Sequence, residues 1–175
     1  MHQGIGLEAF NELPERKALH ALYECVNSVP FAADIARGRP YRDHDQLFRR
    51  ADSLLFNLPE DTIDTIVQAY PHVGRRPGSA KSQAEQCSVW DHRCDVMAGL
   101  DSAAQRYAEQ FGFGFVMLVD NVNAEDLAEV VLATITDRMH NDAETERKVV
   151  RNELGKINRT RLERMLGPEG GYSNW

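Results

Sequence analysis

The chain has 175 residues, 42% of them apolar and 27% charged, and its 20 Lys+Arg against 27 Asp+Glu leave a formal net charge of −7. That length supports one domain with a real core, and an acidic surface repels phosphate backbones and anionic headgroups, which disfavours nucleic acid and membrane surfaces as partners. The longest uninterrupted apolar run, Phe115 to Val119, is far short of the roughly 20 residues that a membrane-spanning helix needs.

The N-terminal residues Met1-His2-Gln3-Gly4-Ile5-Gly6 lack the basic start and apolar stretch of a signal peptide, and Ser173-Asn174-Trp175 is no targeting tripeptide, so a soluble cytoplasmic protein is expected. Pro14 reads as a first-turn proline, and Leu19, Leu22, Tyr23 and Val26 follow at the spacing of a core-facing helix. Pro30 opens a short second helix that stops near Gly38, because the residue before Pro40 avoids the α region. Asp43 is placed to cap a third helix carrying Leu47, Phe48, Ala51, Leu54 and Leu55; Pro59 begins a fourth through Ile63, Ile66 and Val67.

Tyr70 to Ala80 is a loop rich in proline and glycine. Ser82-x-x-Glu85 after it has the form of a capping box for a helix running to about Gln110. Phe111 to Val119, apolar and β-favouring between glycines and Asp120-Asn121, has strand chemistry but no second strand to pair with, and reads as a buried extended connector. Asn123 is placed to cap a helix with Leu127, Val130, Val131 and Ile135, and Asn141 or Asp142 precedes a last long helix that ends before Gly167-Pro168. The expected fold is all-α, a single-domain bundle of about seven to eight helices with one short extended segment. Its domain spans residues 1–166, and 167–175 form a polar tail.

Three cysteines, Cys25, Cys87 and Cys94, fit reduced thiols better than a disulfide framework. Cys87, His92 and Cys94 lie close in sequence but have the wrong spacing for the usual metal pairs, so no metal is expected. Arg161 is the most informative residue. Val150, Leu154, Ile157, Arg161 and Met165 recur at helical spacing, which puts a guanidinium on the apolar stripe, where it needs a carboxylate, carbonyls or a bound anion. The alternatives are an internal ion pair, a side chain snorkelling to the rim, or a bound anion; Arg138 sits similarly with respect to Ile135 and Val131, and two such arginines add weight to a buried anion site. Ser82 and Glu85 are explained by capping alone, yet they follow a basic loop at a helix N-terminus, where functional groups gather. His72 is the loop's histidine and can act as acid or base near neutral pH, or simply be solvated. Dinucleotide, phosphate-loop, zinc-protease and serine-hydrolase motifs are absent.

Taken in order, Ala21-Leu22-Tyr23-Glu24-Cys25, Arg39-Pro40-Tyr41, Tyr70-Pro71-His72-Val73-Gly74, Ser82-x-x-Glu85-Gln86, Tyr107-x3-Phe111-Gly112-Phe113-x-Phe115-Val116, Arg138-Met-x-Asn141 and Lys156-Ile157-x3-Arg161-Leu162 form a specific set. The set resembles the family of 2-oxo-4-hydroxy-4-carboxy-5-ureidoimidazoline (OHCU) decarboxylases, which complete the route from urate to (S)-allantoin. The resemblance implies an all-α decarboxylase that uses no cofactor, acts on a small anionic heterocycle and is often a homodimer. It carries over a substrate pocket of Pro71, Ser82, Gln86, Phe115, Val116, Met117, Leu118, Val119 and Arg161, with Glu85 among the catalytic groups.

In one position the sequence departs from the family. The loop's catalytic histidine is replaced by Tyr70, and an unperturbed phenol has a pKa of about 10 against about 6.5 for imidazole. Tyr70 or His72 would then deliver the proton that sets the product's handedness. The alternative is a diverged member that keeps the pocket and has lost or changed the reaction: decarboxylation or proton transfer on another anionic heterocycle, or binding alone.

Overall fold

The computed structural model describes residues 4–70, 73, 93–120, 122–123 and 125–169. Among them are α1 (Leu7–Glu12), α2 (Glu15–Val26), α3 (Val29–Arg37), α4 (His44–Phe56), α5 (Glu60–Gln68), α6 (Cys94–Phe111), α7 (Leu127–Arg138) and α8 (Ala143–Leu166), with no strand, so the all-α expectation is met. The chain divides into two compact units, one of Met1–Pro59 with Gly155–Trp175 and one of Glu60–Leu154. Helix α8 contributes its first half to the second unit and its last half to the first.

In the first unit the helix starts follow the expected chemistry. Ser28 Oγ accepts from Phe31 N at 3.4 Å with Pro30 in the first turn of α3, and Asp43 Oδ1 accepts from Gln46 N at 2.7 Å at the start of α4. That backbone hydrogen bond, helped by Arg42 beside it, holds the Asp43 carboxyl below its ordinary value. The buried line of α2 is Ala18, Leu22, Cys25 and Val26, whereas Tyr23, expected in the core, is 41% exposed. One residue of drift around the helix separates the two readings.

Helix α1 was not anticipated. It has six residues and buries only Phe10, too little for a periodic signal. Tertiary contacts hold it: Arg39 Nη1 donates to the carbonyls of Phe10 (2.9 Å) and Leu13 (2.7 Å). Asn11 donates to Tyr41 O and accepts from Tyr41 N, both at 2.8 Å. The Arg39-Pro40-Tyr41 motif is thus a clasp on the end of α1. Ile5 N and Gly6 N donate to Met165 O and Leu166 O, each at 2.8 Å, and so satisfy carbonyls at the end of α8. A Cβ on Gly4 would stand 2.1 Å from Gly167 N, so this approach admits only glycine.

In the second unit α5 buries Ile63, Ile66 and Val67 as expected. Helix α6 stops at Gly112, whose φ of 81° permits a left-handed cap with its N–H on Ala108 O at 2.8 Å. Its start differs from expectation. Arg93 is extended (φ −79°, ψ 110°), so no helix opened at Ser82 runs through to Gln110. Helix α7 begins at Leu127, because Asn123 O accepts from Asp126 N at 3.0 Å in a preceding turn and Asn123 does not cap. Asp142 Oδ1 caps α8 by accepting from Thr145 N at 2.8 Å.

Candidate functional site

The loop that carries Tyr70 leaves α5 in a tight turn, with Tyr70 N donating to Val67 O at 3.1 Å. The phenol is 4% exposed and lines a cavity of about 300 Å³ with Val67, Val73, Ala104, Phe113 and Phe115. This wall is close-packed, since a Cβ on Gly114 would lie 3.1 Å from Val67 Cγ1. Pro71, His72, Ser82, Glu85 and Gln86 lie outside the described residues, as do Cys87 and His92. Cys94 is an exposed free thiol, and among the described residues no group of three His, Cys, Asp or Glu is placed to hold a metal ion.

Phe115 and Val116 are buried, and Met117, Leu118 and Val119 are half-buried, in a stretch without regular secondary structure. Aromatic rings anchor its start: Tyr107 meets Phe111 at 4.8 Å and Phe115 edge-on at 5.2 Å, and Phe111 stacks on Phe113 at 5.7 Å. Arg147 lies over Phe113 at 4.1 Å and pairs with Asp64 and Glu60 of α5.

Beneath this segment lies a buried charge cluster. Arg138 Nε and Nη2 each meet Glu146 Oε1 at 2.6 Å, and Arg138 Nη1 donates to Val116 O at 2.7 Å. Tyr107 donates its hydroxyl to Glu146 Oε1 at 2.5 Å, and Asn141 Nδ2 donates to Oε2 at 3.0 Å. The guanidinium also lies 4.4 Å over the Phe115 ring. Of the readings open for Arg138, the structure shows the internal ion pair: its charge is answered inside the fold by Glu146, which removes Arg138 from an anion site. Sequence reasoning missed Glu146, although a signal was available, since it stands one turn before Val150 on the α8 stripe.

Burial first, then the hydrogen bond to Glu146, holds the Tyr107 phenol above its ordinary value of 10.0, with Arg138 opposing. The unfolded chain releases this proton at the ordinary pKa, so folding stability is intact below about pH 10 and falls as pH rises past it. Tyr41, raised mainly by burial, acts in the same direction. Urea midpoints taken from about pH 8 to about pH 11 are expected to decline in wild type and to decline less steeply in Tyr107→Phe. Equal slopes would contradict this assignment.

Arg161 is 8% exposed on the α8 stripe with Val150, Leu154 and Ile157, as the spacing predicted. Its Nη1 donates to Cys25 O at 3.1 Å, in the last turn of α2, where carbonyls favour a cation. Arg161 belongs to the first unit; Tyr70 and the 115–119 segment belong to the second.

A family model described as OHCU decarboxylase matches residues 11–163. A uric acid degradation bifunctional protein from Bacillus sp. (strain TB-90) is 26% identical over 164 residues, 91% of this chain and 32% of that protein, so the chain spans about a third of this relative. A 2-oxo-4-hydroxy-4-carboxy-5-ureidoimidazoline decarboxylase from Haloferax volcanii is 26% identical over 182 residues, 97% of this chain and 100% of that protein. Among solved structures, that of an (S)-allantoin synthase aligns with a TM-score of 0.72 at 17% identity, covering 93% of this chain and 54% of the other. That of an OHCU decarboxylase in the presence of (S)-allantoin aligns at 0.66 and 19% identity, covering 82% and 95%. At these identities the structural likeness speaks for the fold.

Proposed function

The chain belongs to the OHCU decarboxylase family, and from that premise we propose that it is a cofactor-independent carboxy-lyase that converts 2-oxo-4-hydroxy-4-carboxy-5-ureidoimidazoline to (S)-allantoin. The observation that carries this reading beyond family membership is the guanidinium of Arg161, held on an apolar stripe at 8% exposure. A buried guanidinium anchored through one arm to Cys25 O is a donor suited to charge-assisted hydrogen bonds with an anionic substrate. Net charge and the absence, among the described residues, of any helix long and apolar enough to cross a membrane are consistent with a small-molecule partner.

In this reading Arg161 fixes an anionic oxygen of the substrate, and an apolar wall weakens the solvation of its carboxylate. The bond to the carboxylate breaks, carbon dioxide leaves, and the electron pair delocalises into the adjacent imidazoline C=N. Glu85, Ser82 and Gln86 hold the ureido and hydroxyl groups, Pro71 shapes the loop, and Phe115 to Val119 offer backbone groups. Tyr70 or His72 delivers a proton to one face of the ring and sets the handedness of the product. Residues 1–166 act as one catalytic domain followed by a tail, in a cytoplasmic homodimer.

Tyr70 favours a second reading, a family member that keeps anion binding and has changed its reaction, because a buried phenol is a weaker acid than the family's histidine. Stopped-flow circular dichroism with freshly generated substrate separates the two. The decarboxylase reading expects wild type to form (S)-allantoin faster than buffer; a fall of about tenfold or more in Tyr70→Phe then assigns the proton to the phenol, and unchanged activity assigns it to His72. A wild type no better than buffer, with activity appearing in Tyr70→His, would establish the second reading instead.

A further inference from the structure

The two peptide groups flanking the Met117 Cα are both held by charged side chains. Val116 O accepts from Arg138 Nη1 at 2.7 Å, and Leu118 N donates to Glu153 Oε2 at 2.8 Å. A trans peptide is planar, with its C=O and N–H pointing in opposite directions. Fixing Val116 O toward Arg138 therefore aims the Met117 N–H away from Arg138. Fixing Leu118 N–H toward Glu153 likewise aims the Met117 C=O away from Glu153. Neither group of Met117 makes a hydrogen bond with another described residue. One donor and one acceptor on the same residue match a ligand that presents a carbonyl next to an N–H, the pattern of a ureide.

We propose that Glu153, together with Arg138, is a positioning residue: it aims the Met117 peptide groups at the ureide part of the substrate. The inference rests on the decarboxylase reading above, in which segment 115–119 faces the substrate. A stretch outside any helix or sheet has no hydrogen-bond ladder to orient its peptides, so side chains on neighbouring elements must do so. Arg138 is held by Glu146 and forms one half of the clamp; Glu153 on α8 forms the other. Its task is to accept a hydrogen bond, and a neutral amide oxygen serves as well as a carboxylate.

The test compares wild type, Glu153→Ala and Glu153→Gln. Glu153→Ala is expected to raise KM for the ureidoimidazoline about tenfold while kcat stays within about threefold, and Glu153→Gln to return KM to within about threefold of wild type. Wild-type KM in Glu153→Ala, or equal damage in both variants, would overturn the proposal; the second result would show that the charge matters and the accepted hydrogen bond does not. Amide hydrogen exchange at Leu118 provides a readout independent of turnover. Protection that falls about tenfold or more in Glu153→Ala and survives in Glu153→Gln supports the clamp, and equal exchange in all three overturns it. If wild type neither turns over the substrate nor shifts its Met117 amide resonance on addition of (S)-allantoin, both the decarboxylase reading and the substrate role of the clamp are overturned. Leu118 exchange then separates a clamp that exists without this ligand from no clamp at all.

Discussion

Replacing Glu146 by alanine is expected to cost about 3–5 kcal/mol of folding stability, the range for stranding one partner of a buried ion pair. Glu146 is fully buried and Arg138 is 7% exposed, so neither side chain can turn to water when the other is removed. Arg138 and Tyr107 donate to Glu146 Oε1, and Asn141 donates to Oε2. The alanine variant would leave a desolvated guanidinium, a phenol without its acceptor and a void. For a chain of this length each kcal/mol shifts Tm by about 2–4 °C, so thermal melts followed by circular dichroism are expected to move by about 6–20 °C. The double variant Arg138→Met, Glu146→Leu is expected to recover most of this loss, because a buried pair contributes little against a well-packed apolar replacement. Its activity is not expected to recover with it, since Val116 O would still lack its donor. A Glu146→Ala Tm within about 2 °C of wild type would refute the buried-pair assignment.

The same residue shows where sequence reading stopped. Local chemistry was legible: Asp43 and Asp142 cap as their positions require, and Arg161 lies on the α8 stripe, because each depends on spacing within one helix. Arg138 was legible as inward-facing, with an internal ion pair among its readings, but the partner was not legible. Its carboxylate comes from a different helix, and spacing along α7 says nothing about which residue of α8 faces it. Helix α1 escaped for a related reason: Arg39 and Asn11 hold it through contacts roughly thirty residues apart in the chain. Asn123 was a plausible cap by composition, yet its carbonyl closes a turn three residues earlier than the helix. That Tyr70, Phe115 to Val119 and Arg161 serve one chemistry is a proposal drawn from the resemblance, since spacing within single helices says nothing of it. Ser82 and Glu85 lie outside the described residues, so their double reading as cap and site is decided by kinetics.

Arg161→Met is expected to lower kcat/KM for the ureidoimidazoline by about 10²–10³, the range for removing a preorganised donor from a developing or fixed anion. Methionine matches the length and apolar character of the stripe that Val150, Leu154 and Ile157 define, so Tm is expected to move by only a few degrees. The hydrogen bond to Cys25 O, at the C-terminal turn of α2, anchors one arm of the guanidinium. Arg161→Lys keeps the charge but gives up the planar fork, and is expected to recover no more than about tenfold of the lost activity. The two arginines are thereby separated by their signatures. Breaking the Arg138 pair is read first in stability, whereas losing Arg161 is read in catalysis at nearly constant stability. Activity of Arg161→Met within about threefold of wild type would remove the anion role, and a collapse of Tm would assign Arg161 to the fold instead.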